Sequence, residues 1–347
     1  MASLALVMIV RDEEGCLARC LDAAAPIVDE MIVVDTGSVD GTAAVAAACG
    51  ATVHHWAWRD DFSAARNHSL ALSRCDWNLV LDADERITSG GDTLRKTLGE
   101  PFLGLVCRRN RIRVGSADAD SFTWIPRLLP KGIRYAGRIH EEPVSSLPAH
   151  KTTLRLDHIG FDAASLARKK GRNERLLLAA LGEQPGDVYL HFQLGNEYQV
   201  AQDFAKSASS YKAALARSSG KESYRHALVV RAIYSFKMAE LLDDAVALVD
   251  DEIHNWPHSP DFYFTVGDLY LDLAVKHPHA ALERLLPVVE YSWKKCLEIG
   301  ERTDIEGGVR GRGSHMAAHN LAAFYRALGD QPKAAEFAAM AEEMKAA

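Results

Sequence analysis

Long hydrophobic runs are missing from this sequence. A membrane-spanning helix needs about 18 or more consecutive apolar residues, and no segment approaches that length. No basic segment precedes the short run LALVMIV at 4–10, and RDEE follows it where a secretory signal would have small residues at a cleavage site. We therefore expect a buried first strand, no membrane span and a cytoplasmic location.

Cysteine pairs and an excess of positive charge are missing as well. The six cysteines are scattered without a CxxC pair, which predicts reduced thiols rather than disulfides. Cys16 and Cys20 stand one helical turn apart, and we interpret them as small residues of a helix face rather than as a metal pair. The chain has 40 basic and 47 acidic residues and a net charge of −7. This balance argues against nucleic acid or an anionic membrane as the main partner.

The first half of the chain alternates strand and helix patterns. At 347 residues the chain is too long for one ordinary core, so we expect two domains, the first at 1–160. The alternation predicts an α/β domain whose mostly parallel sheet is covered on both faces. Strand patterns between 101 and 160 make the sheet mixed. The predicted strands are 4–10, 30–35, 51–58 and 77–84, and the predicted helices are 13–25, 41–50 and 61–75.

The second half, residues 161–347, contains one helical pattern after another. Tetratricopeptide repeats place L-G-x-x-Y on a first helix, then a small residue, an aromatic residue and an alanine on a second. LGNEYQVAQDFAKSASSYKAAL at 194–215 fits, while VGDLY at 266–270 and NLAAFYRALGD at 320–330 repeat its beginning. We predict an array of such repeats, with a generic helical bundle as the alternative. Arrays of this kind usually present a surface to a partner.

Acidic residues stand at the ends of several predicted strands. The first strand ends in VRDEE, the second in VVDTGSVDGT and the fourth in LDADE. Ligands of open parallel sheets bind beyond the carboxyl ends of the strands. Asp82 and Asp84, one residue apart in a D-x-D pattern, could face one hard cation such as Mg²⁺ or Mn²⁺, or form a solvated acidic strand end. Glu85 is expected to face away and brace the turn.

The segment DTGSVDGT at 35–42 combines turn-forming residues with a strand-terminal acid. Its glycines permit tight turns, and Asp40 or Thr42 can cap the following helix. Two interpretations stay open: a well-made connection between strand and helix, or a loop that grips a sugar nucleotide, with Asp35 accepting hydrogen bonds from the base or ribose. The absence of G-x-G-x-x-G and GKS/T motifs disfavours dinucleotide-binding and P-loop folds.

An ordered set of motifs carries a family resemblance. Residues 3–160 contain, in this order, MIVRDEE, DEMIVVDTGSVDGT, WRDDFSAARNHSLALSRCDWNLVLDADE, RIHEEP and LRLDHIGF. This set resembles family 2 glycosyltransferases of the GT-A fold, a Rossmann-like mixed sheet that binds nucleotide-diphospho-sugars. The chain most resembles the subgroup with C-terminal tetratricopeptide-like repeats, which includes the sublancin-type peptide S-glycosyltransferases. Some lipopolysaccharide-core glucosyltransferases share the IHE-type motif.

The resemblance implies a metal site and a nucleotide contact. Asp84 would ligate a divalent metal, and Asp82 would contact the metal or the ribose. His158 in DHIGF would supply a further metal ligand from a late strand, with a structural histidine at a domain junction as the alternative. Asp35 would bind the nucleotide.

Cationic and amide side chains complete the implied donor site. Arg66 and Asn67, in the ARN segment of a predicted helix, would lie near the base and the diphosphate. The alternative for Arg66 is a salt bridge with the aspartates of WRDDF. Arg127 and Arg138 could steady the leaving diphosphate, because a guanidinium group binds phosphate oxygens in a bidentate manner.

RIHEEP at 138–143 is the candidate for the catalytic base. Inverting transfer needs a group that takes the proton of the acceptor as it attacks the anomeric carbon, and a carboxylate or a histidine suits this role. Glu141 is the first choice; His140 could orient it, act as the base itself or bind the diphosphate. Glu142 is interpreted as a surface residue. A charged loop without a catalytic role is the alternative.

The motifs and the resemblance together predict a metal-dependent inverting glycosyltransferase, with Mn²⁺ or Mg²⁺ as cofactor and a UDP-hexose as donor. The sequence does not distinguish glucose from N-acetylglucosamine, or UDP-sugars from GDP-sugars. The expected acceptor is a peptide side chain, with a lipopolysaccharide core or another saccharide as the alternative. Homodimerisation through the helical domain is a further expectation. The rival hypothesis is a repeat-type binding protein with a degenerate transferase domain, and the intact acids at the strand ends argue against it.

Overall fold

The chain forms two compact units. A computed structural model describes residues 2–114, 117–158 and 171–346. The first unit comprises residues 1–112 and 123–183, and the second comprises residues 113–122 and 184–347. The predicted domain boundary between residues 160 and 161, and the end of the LRLDHIGF motif, lie outside the described residues.

A mixed β-sheet forms the centre of the first unit. Its strands are β1 (Leu4–Val10), β2 (Glu30–Asp35), β3 (Thr52–His55), β4 (Trp77–Val80), β5 (Glu85–Ser89), β6 (Leu103–Val114), β7 (Ala117–Pro130) and β10 (Ala149–His158). They lie in the order β3-β2-β1-β4-β7-β6-β10-β5. Strands β3, β2, β1 and β4 are parallel, whereas β7 is antiparallel to β4 and β5 is antiparallel to β10. The short strands β8 (Arg134–Ala136) and β9 (Glu142–Val144) pair with each other.

The alternation of side chains along β1 explains why both faces of the sheet are covered. Leu4, Leu6 and Met8 pack in one apolar cluster with helix α1 (Leu17–Ala24). Ala5 and Val7 point the other way, into a second cluster to which Leu70 and Leu72 of helix α3 (Phe62–Leu72) belong. A strand buried on both faces has no polar side, which is why LALVMIV has no alternating pattern.

Among the described residues, the remaining helices of the first unit are α2 (Thr42–Ala48), α4 (Gly91–Leu94) with the 3₁₀ turn Arg95–Thr97, and α5 (Arg172–Glu183). The predicted order of strands and helices is confirmed, but the predicted third and fourth strands, 51–58 and 77–84, are too long, because β3 ends at His55 and β4 ends at Val80. β3 ends at His55 because its partner β2 ends at Asp35, whose carbonyl accepts the last ladder bond, from Trp56 N–H at 2.9 Å.

Successive helix pairs make up the second unit. The pairs are α6 (Val188–Val200) with α7 (Phe204–Leu215), α8 (Arg225–Met238) with α9 (Leu242–Glu252), α10 (Pro260–Lys276) with α11 (Leu286–Ile299), and α12 (His315–Ala327) with α13 (Gln331–Ala346). A helical turn at Pro278–Ala280 and a π-helical segment at Ala281–Leu285 precede α11. Aspartate or serine side chains cap several first turns; Asp187, for example, accepts a hydrogen bond of 2.8 Å from Leu190 N–H at the start of α6.

Glycines on the first helix of a pair receive aromatic rings from the second. A Cβ atom added at Gly195 in α6 would overlap the ring of Tyr211 in α7, and one added at Gly267 in α10 would overlap Trp293 in α11. Tyr211 is fully buried, and its hydroxyl donates to Asn196 Oδ1 at 2.8 Å. These are the small and aromatic positions of the repeat pattern.

The predicted fold class, a GT-A-type mixed sheet followed by tetratricopeptide-like helix pairs, is confirmed by the strand order and by this packing. None of the helices in the described parts of the chain combines the length and the apolar character needed to cross a membrane.

Gly195→Ala should destabilise the second unit by about 1–3 kcal/mol, because the added methyl group overlaps the buried Tyr211 ring. The loss is expected although alanine has a better helix propensity than glycine by about 1 kcal/mol. Chemical denaturation followed by circular dichroism measures the change in the free energy of unfolding.

Gly186→Ala is the matched control. Gly186 also belongs to the second unit, and an added Cβ there has no heavy atom within 4 Å. This variant should be as stable as the wild type or slightly more stable. Equal stability of the Gly195→Ala and Gly186→Ala proteins would contradict close packing at Tyr211.

Candidate active site

The carboxyl ends of adjacent parallel strands bring the predicted acids to one edge of the sheet. β2, β1 and β4 are neighbours and run in the same direction. Asp35, the last residue of β2, is in register with Val10, the last residue of β1. The segments that follow the first, second and fourth predicted strands therefore leave the sheet at the same edge, where ligands of such sheets bind.

The acids that follow β1 hold the neighbouring loop together. Asp12 Oδ1 accepts a hydrogen bond of 2.8 Å from Val39 N–H, and Glu14 Oε2 accepts one of 3.0 Å from Gly41 N–H. In return, Glu14 N–H donates to Asp40 Oδ2 at 3.2 Å. The acids after β1 thus accept hydrogen bonds from the backbone of the loop after β2, and Asp40 of that loop accepts one from the backbone after β1, which is a structural role.

One carboxylate oxygen of Asp35 accepts hydrogen bonds from the loop that follows it, and the other lies near His55. Oδ1 accepts hydrogen bonds from Gly37 N–H at 3.1 Å, Ser38 N–H at 2.8 Å and the Ser38 hydroxyl at 2.7 Å. Oδ2 lies 3.5 Å from His55 Nδ1, and the His55 side chain is 73% exposed. A nucleotide that contacts Asp35 would therefore use the Oδ2 side.

Asp82 lies between two buried arginines. Its Oδ1 accepts a hydrogen bond of 2.6 Å from Arg66 Nη2 of α3, and its Oδ2 accepts one of 2.5 Å from Arg127 Nη2 of β7. The side chains of Arg66 and Arg127 are only 7% and 9% exposed. The structure thus brings together three predicted site residues from a turn, a helix and an antiparallel strand.

Glu85 extends this group of charges. Its Oε1 accepts hydrogen bonds from Arg127 Nη2 at 2.9 Å and from Arg108 Nη1 of β6 at 3.2 Å. Its Oε2 accepts one from Asp82 N–H at 3.1 Å. The expectation that Glu85 braces the turn is confirmed, but the expectation that it faces away is wrong. The reason is that the buried guanidinium group of Arg127 and the partly buried one of Arg108 both pair with the Glu85 carboxylate.

Glu141 pairs with the other side of Arg66. Arg66 Nε donates to Glu141 Oε1, and the Glu141 side chain is 9% exposed. The alternative that pairs Arg66 with the aspartates of WRDDF is wrong, because both have other partners. Asp60 pairs with Arg175 at 3.0 Å, and Asp61 caps α3 through Ala64 N–H at 2.9 Å.

The opposite charges hold each other in the ionised state. Loss of water around Asp82 would raise the pKa of its carboxyl group, but Arg127 and Arg66 outweigh this effect and hold the pKa well below its usual range. Burial would likewise lower the pKa of each arginine. Asp82 counteracts this at both arginines, with Glu85 beside Arg127 and Glu141 beside Arg66, so that both pKa values lie above their usual range.

His140 is neutral at pH 7. Burial, together with the nearby Arg108 guanidinium, lowers the pKa of His140 to about 4. Its backbone φ of 50° lies in the left-handed region, where non-glycine residues are uncommon and where strain often accompanies function. A neutral imidazole can orient a neighbour through a hydrogen bond, but it supplies no positive charge for a diphosphate.

Asp84 and His158 form a separate pair at the same turn. His158 Nε2 lies 3.2 Å from Asp84 Oδ2, and the two side chains are 14% and 15% exposed. His158 lies beside Asp84 because β10 is antiparallel to β5, with His158 in register with Glu85. A carboxylate oxygen beside an imidazole nitrogen is a donor set that suits Mn²⁺. In the described parts of the chain, no group of three or more such side chains is close enough to hold a metal ion.

Two predicted site residues have partners elsewhere in the first unit. Asn67 binds the backbone of Tyr135 with both ends of its amide, through Nδ2 to the carbonyl at 2.9 Å and through Oδ1 to the N–H at 2.8 Å. Arg138 pairs with Glu183 at 3.0 Å, and its side chain is 46% exposed. Asn67 fixes β8 against α3 in this way, while Arg138 lies at the surface.

Sequence reasoning missed Arg108 and the buried role of Glu85. Arg108 follows an apolar stretch in β6, and an arginine inside a strand of a core sheet indicates a buried partner. Tyr135 was also missed; the Arg66 guanidinium lies over its ring at 5.7 Å. Arg108 is far from Glu85 in the sequence, and Tyr135 is far from Arg66. No local pattern could therefore have identified these two contacts.

A mixed sheet with this strand order, and with acids and arginines at its carboxyl edge, defines a GT-A-type domain. Residues 5–100 match the family model described as Glycosyl transferase family 2. This range includes Asp35, Arg66, Asp82 and Asp84. The chain therefore carries a glycosyl transferase family 2 domain, as its motifs predicted.

Curated relatives share parts of the chain. A TPR repeat-containing protein of Synechococcus elongatus is 38% identical over 212 residues, which are 56% of this chain and 52% of that protein. The SPbeta prophage-derived glycosyltransferase SunS of Bacillus subtilis is 25% identical over 224 residues, which are 59% of this chain and 53% of SunS. The chain thus spans about half the length of these relatives. The predicted resemblance to repeat-containing family 2 glycosyltransferases is confirmed.

Two solved structures are similar at a lower level. MamA is 16% identical, and the match covers 53% of this chain and 95% of MamA with a TM-score of 0.40. Glucosyl-3-phosphoglycerate synthase of Mycobacterium tuberculosis is 26% identical, and the match covers 32% of this chain and 44% of that protein with a TM-score of 0.27. Both TM-scores are too low to define a shared fold, which here follows from the strand order and the helix pairs.

Glu85→Ala should destabilise the first unit by about 3–5 kcal/mol, because it leaves Arg127 and Arg108 with one buried carboxylate fewer. The loss appears as a lower denaturant midpoint in an unfolding curve followed by circular dichroism.

Glu183→Ala is the matched control, since it also removes a carboxylate that pairs with an arginine of the first unit. The Glu183 side chain is 58% exposed, so its removal should change the free energy of unfolding by less than about 1 kcal/mol. If the Glu85→Ala protein unfolds at the same midpoint as this control, the buried charges do not stabilise the unit.

Proposed function

We propose that this protein is a metal-dependent inverting glycosyltransferase that transfers a hexose from a nucleotide-diphospho-sugar to an acceptor. The observation that carries the proposal is the position of Arg66 and Arg127 on either side of Asp82. Both buried cations belong to the first unit, at the edge of the sheet where ligands bind, and Arg66 falls within the residues 5–100 that match the family model.

The two arginines have N–H groups to offer to a diphosphate. Nη1 of Arg66 and Nε of Arg127 are buried and hydrogen-bond to nothing in the described parts of the chain. Buried donors are almost always paired in folded proteins, and guanidinium groups bind phosphate oxygens well. Diphosphate oxygens of the donor would satisfy these N–H groups. Asp35, through Oδ2, would contact the nucleoside.

Asp84 and His158 would hold the divalent metal, Mn²⁺ or Mg²⁺, with Asp82 nearby. A bound metal ion supplies positive charge that stabilises the leaving diphosphate. The chain's own contribution is to fix the carboxylate and the imidazole beside the turn, through the pairing of β10 with β5. Asn67, through its contact with Tyr135, supports the position of β8 rather than the donor.

Glu141 is the proposed base. Its carboxylate lies next to Arg66, and it would take the proton of the acceptor as the acceptor attacks the anomeric carbon. The neutral His140 beside it in sequence would orient this carboxylate. Arg138, which pairs with Glu183 at 3.0 Å, would have to leave that partner before it could steady the diphosphate.

The proposed donor is a UDP-hexose, and the proposed acceptor is a peptide side chain. The similarity to SunS, a named glycosyltransferase, covers 59% of this chain, and an array of helix pairs offers an extended surface to such an acceptor. A saccharide acceptor would use the same donor site. With the proposed domain boundary between residues 160 and 161, the first domain would bind the donor and the second would bind the acceptor.

The Asp84→Ala variant should hydrolyse UDP-sugars at least tenfold more slowly than the wild type in the presence of Mn²⁺, because it lacks the carboxylate that would hold the metal. Release of UDP from UDP-glucose and from UDP-N-acetylglucosamine is the measurement. Asp22→Ala is the control, since Asp22 is an exposed residue of α1 in the same unit, and its activity should equal that of the wild type.

The wild type should also bind UDP. If it binds no UDP and releases none from any sugar nucleotide, the proposal of a transferase is wrong, and a repeat-type binding protein with a degenerate transferase domain is the better description. Equal activity of the Asp84→Ala and Asp22→Ala proteins would instead exclude Asp84 as a metal ligand.

Glu141→Gln should retain UDP binding and lose sugar transfer by about 100-fold or more, because glutamine cannot accept the proton of the acceptor. Mass spectrometry of candidate peptides measures transfer, and calorimetry measures UDP binding. Loss of both properties to the same extent would show that Glu141 is structural or binds the nucleotide.

A further inference from the structure

Arg66 makes two ion pairs with different sides of one guanidinium group. Nε donates to Glu141 Oε1, and Nη2 donates to Asp82 Oδ1 at 2.6 Å. The third nitrogen, Nη1, is buried and hydrogen-bonds to nothing in the described parts of the chain. One buried cation therefore touches the proposed base, while its remaining nitrogen is left for the proposed donor.

We propose that Arg66 couples donor binding to the availability of the Glu141 carboxylate: this carboxylate is held as an ion pair until the diphosphate of the donor takes over the charge of the guanidinium. The proposal rests on the proposed function, because it needs a diphosphate in this site. Arg66 acts here as a positioning residue for the base in addition to its contact with the donor.

The electrostatic reason is competition for one positive charge. A carboxylate that accepts a charge-assisted hydrogen bond from a guanidinium group is held by that pair and is not free to meet an acceptor. Negative diphosphate oxygens at Arg66 compensate the same positive charge, and in a buried site this effect is large. The Glu141 carboxylate is then released from its ion pair when a sugar donor is present.

The transfer step conserves atoms and electrons. The O–H or S–H proton of the acceptor moves to a carboxylate oxygen of Glu141, and the acceptor heteroatom forms its bond to the anomeric carbon. The bond between that carbon and the diphosphate oxygen breaks, and its electron pair leaves with the nucleoside diphosphate. After the diphosphate departs, the proton passes to solvent and Arg66 pairs with the Glu141 carboxylate again.

Coupling between two sites is reciprocal. If the diphosphate weakens the pair between Arg66 and Glu141, then this pair must weaken the binding of the diphosphate. Removal of the Glu141 charge should therefore strengthen donor binding. A purely structural role of Glu141 predicts the opposite, since damage to the site lowers affinity.

The test is the affinity of the full chain for UDP with Mn²⁺, measured by calorimetry. Glu141→Gln should bind UDP about fivefold more tightly than the wild type, or tighter still. Glutamine has nearly the same shape, and its amide oxygen can still accept from Arg66 Nε, so the fold is expected to persist; an unchanged melting temperature checks this. Affinity for uridine, which has no diphosphate, should stay the same.

A double-variant comparison assigns the effect to Arg66. In an Arg66→Gln background, the Glu141→Gln change should leave the UDP affinity unaltered. Glu142→Gln is the matched control, because it removes the charge of the adjacent, exposed carboxylate, and it should bind UDP like the wild type. If Arg66→Gln does not fold, the single Glu141→Gln comparison between UDP and uridine still decides.

Different failures have different meanings. If the wild type binds no UDP, the proposed function is wrong. If the wild type binds UDP but Glu141→Gln binds it equally well or less tightly, only the coupling is overturned. The coupling is also overturned if Glu141→Gln increases the affinity for uridine as much as the affinity for UDP. It is overturned as well if Glu141→Gln still increases the UDP affinity in the Arg66→Gln background.

Discussion

The carboxylate of Asp82, held between Arg66 and Arg127, is the interaction on which the edge of the sheet depends. Each guanidinium group takes one carboxylate oxygen. Charges removed from water are tolerated only when they are paired, so the helix, the turn after β4 and the antiparallel strand must be in place together. Through Arg127 and Arg66 the pairing continues to Glu85 and Glu141, which makes one continuous chain of alternating charges.

This chain of charges is better suited to function than to stability. Buried ion pairs contribute little net free energy compared with apolar packing, and here Nη1 of Arg66 and Nε of Arg127 hydrogen-bond to no described residue. Fixed donors in a site with little water stabilise negative charge strongly, because they need no reorganisation when the charge arrives. An anion with several oxygens, such as a diphosphate, matches this arrangement.

The second unit is organised by shape rather than by charge. Gly195 and Gly267 leave room for Tyr211 and Trp293, and a single methyl group at either glycine would collide with a ring. Each helix packs mainly on its neighbours in the array, so a pattern repeated along the sequence is sufficient to specify it. That is why the repeat motifs could be recognised without knowledge of the structure, whereas the charge network could not.

The sequence by itself determined the alternation of strands and helices, the helix pairs and the acids at the strand ends, because periodicity and turn chemistry act over short distances along the chain. Only the tertiary structure decided which acid meets which arginine. Arg66 joins Glu141 from 75 residues away, and Arg127 joins Asp82 from 45 residues away. These contacts follow from the placement of β7 beside β4 and of α3 on one face of the sheet, and a local pattern does not contain that information.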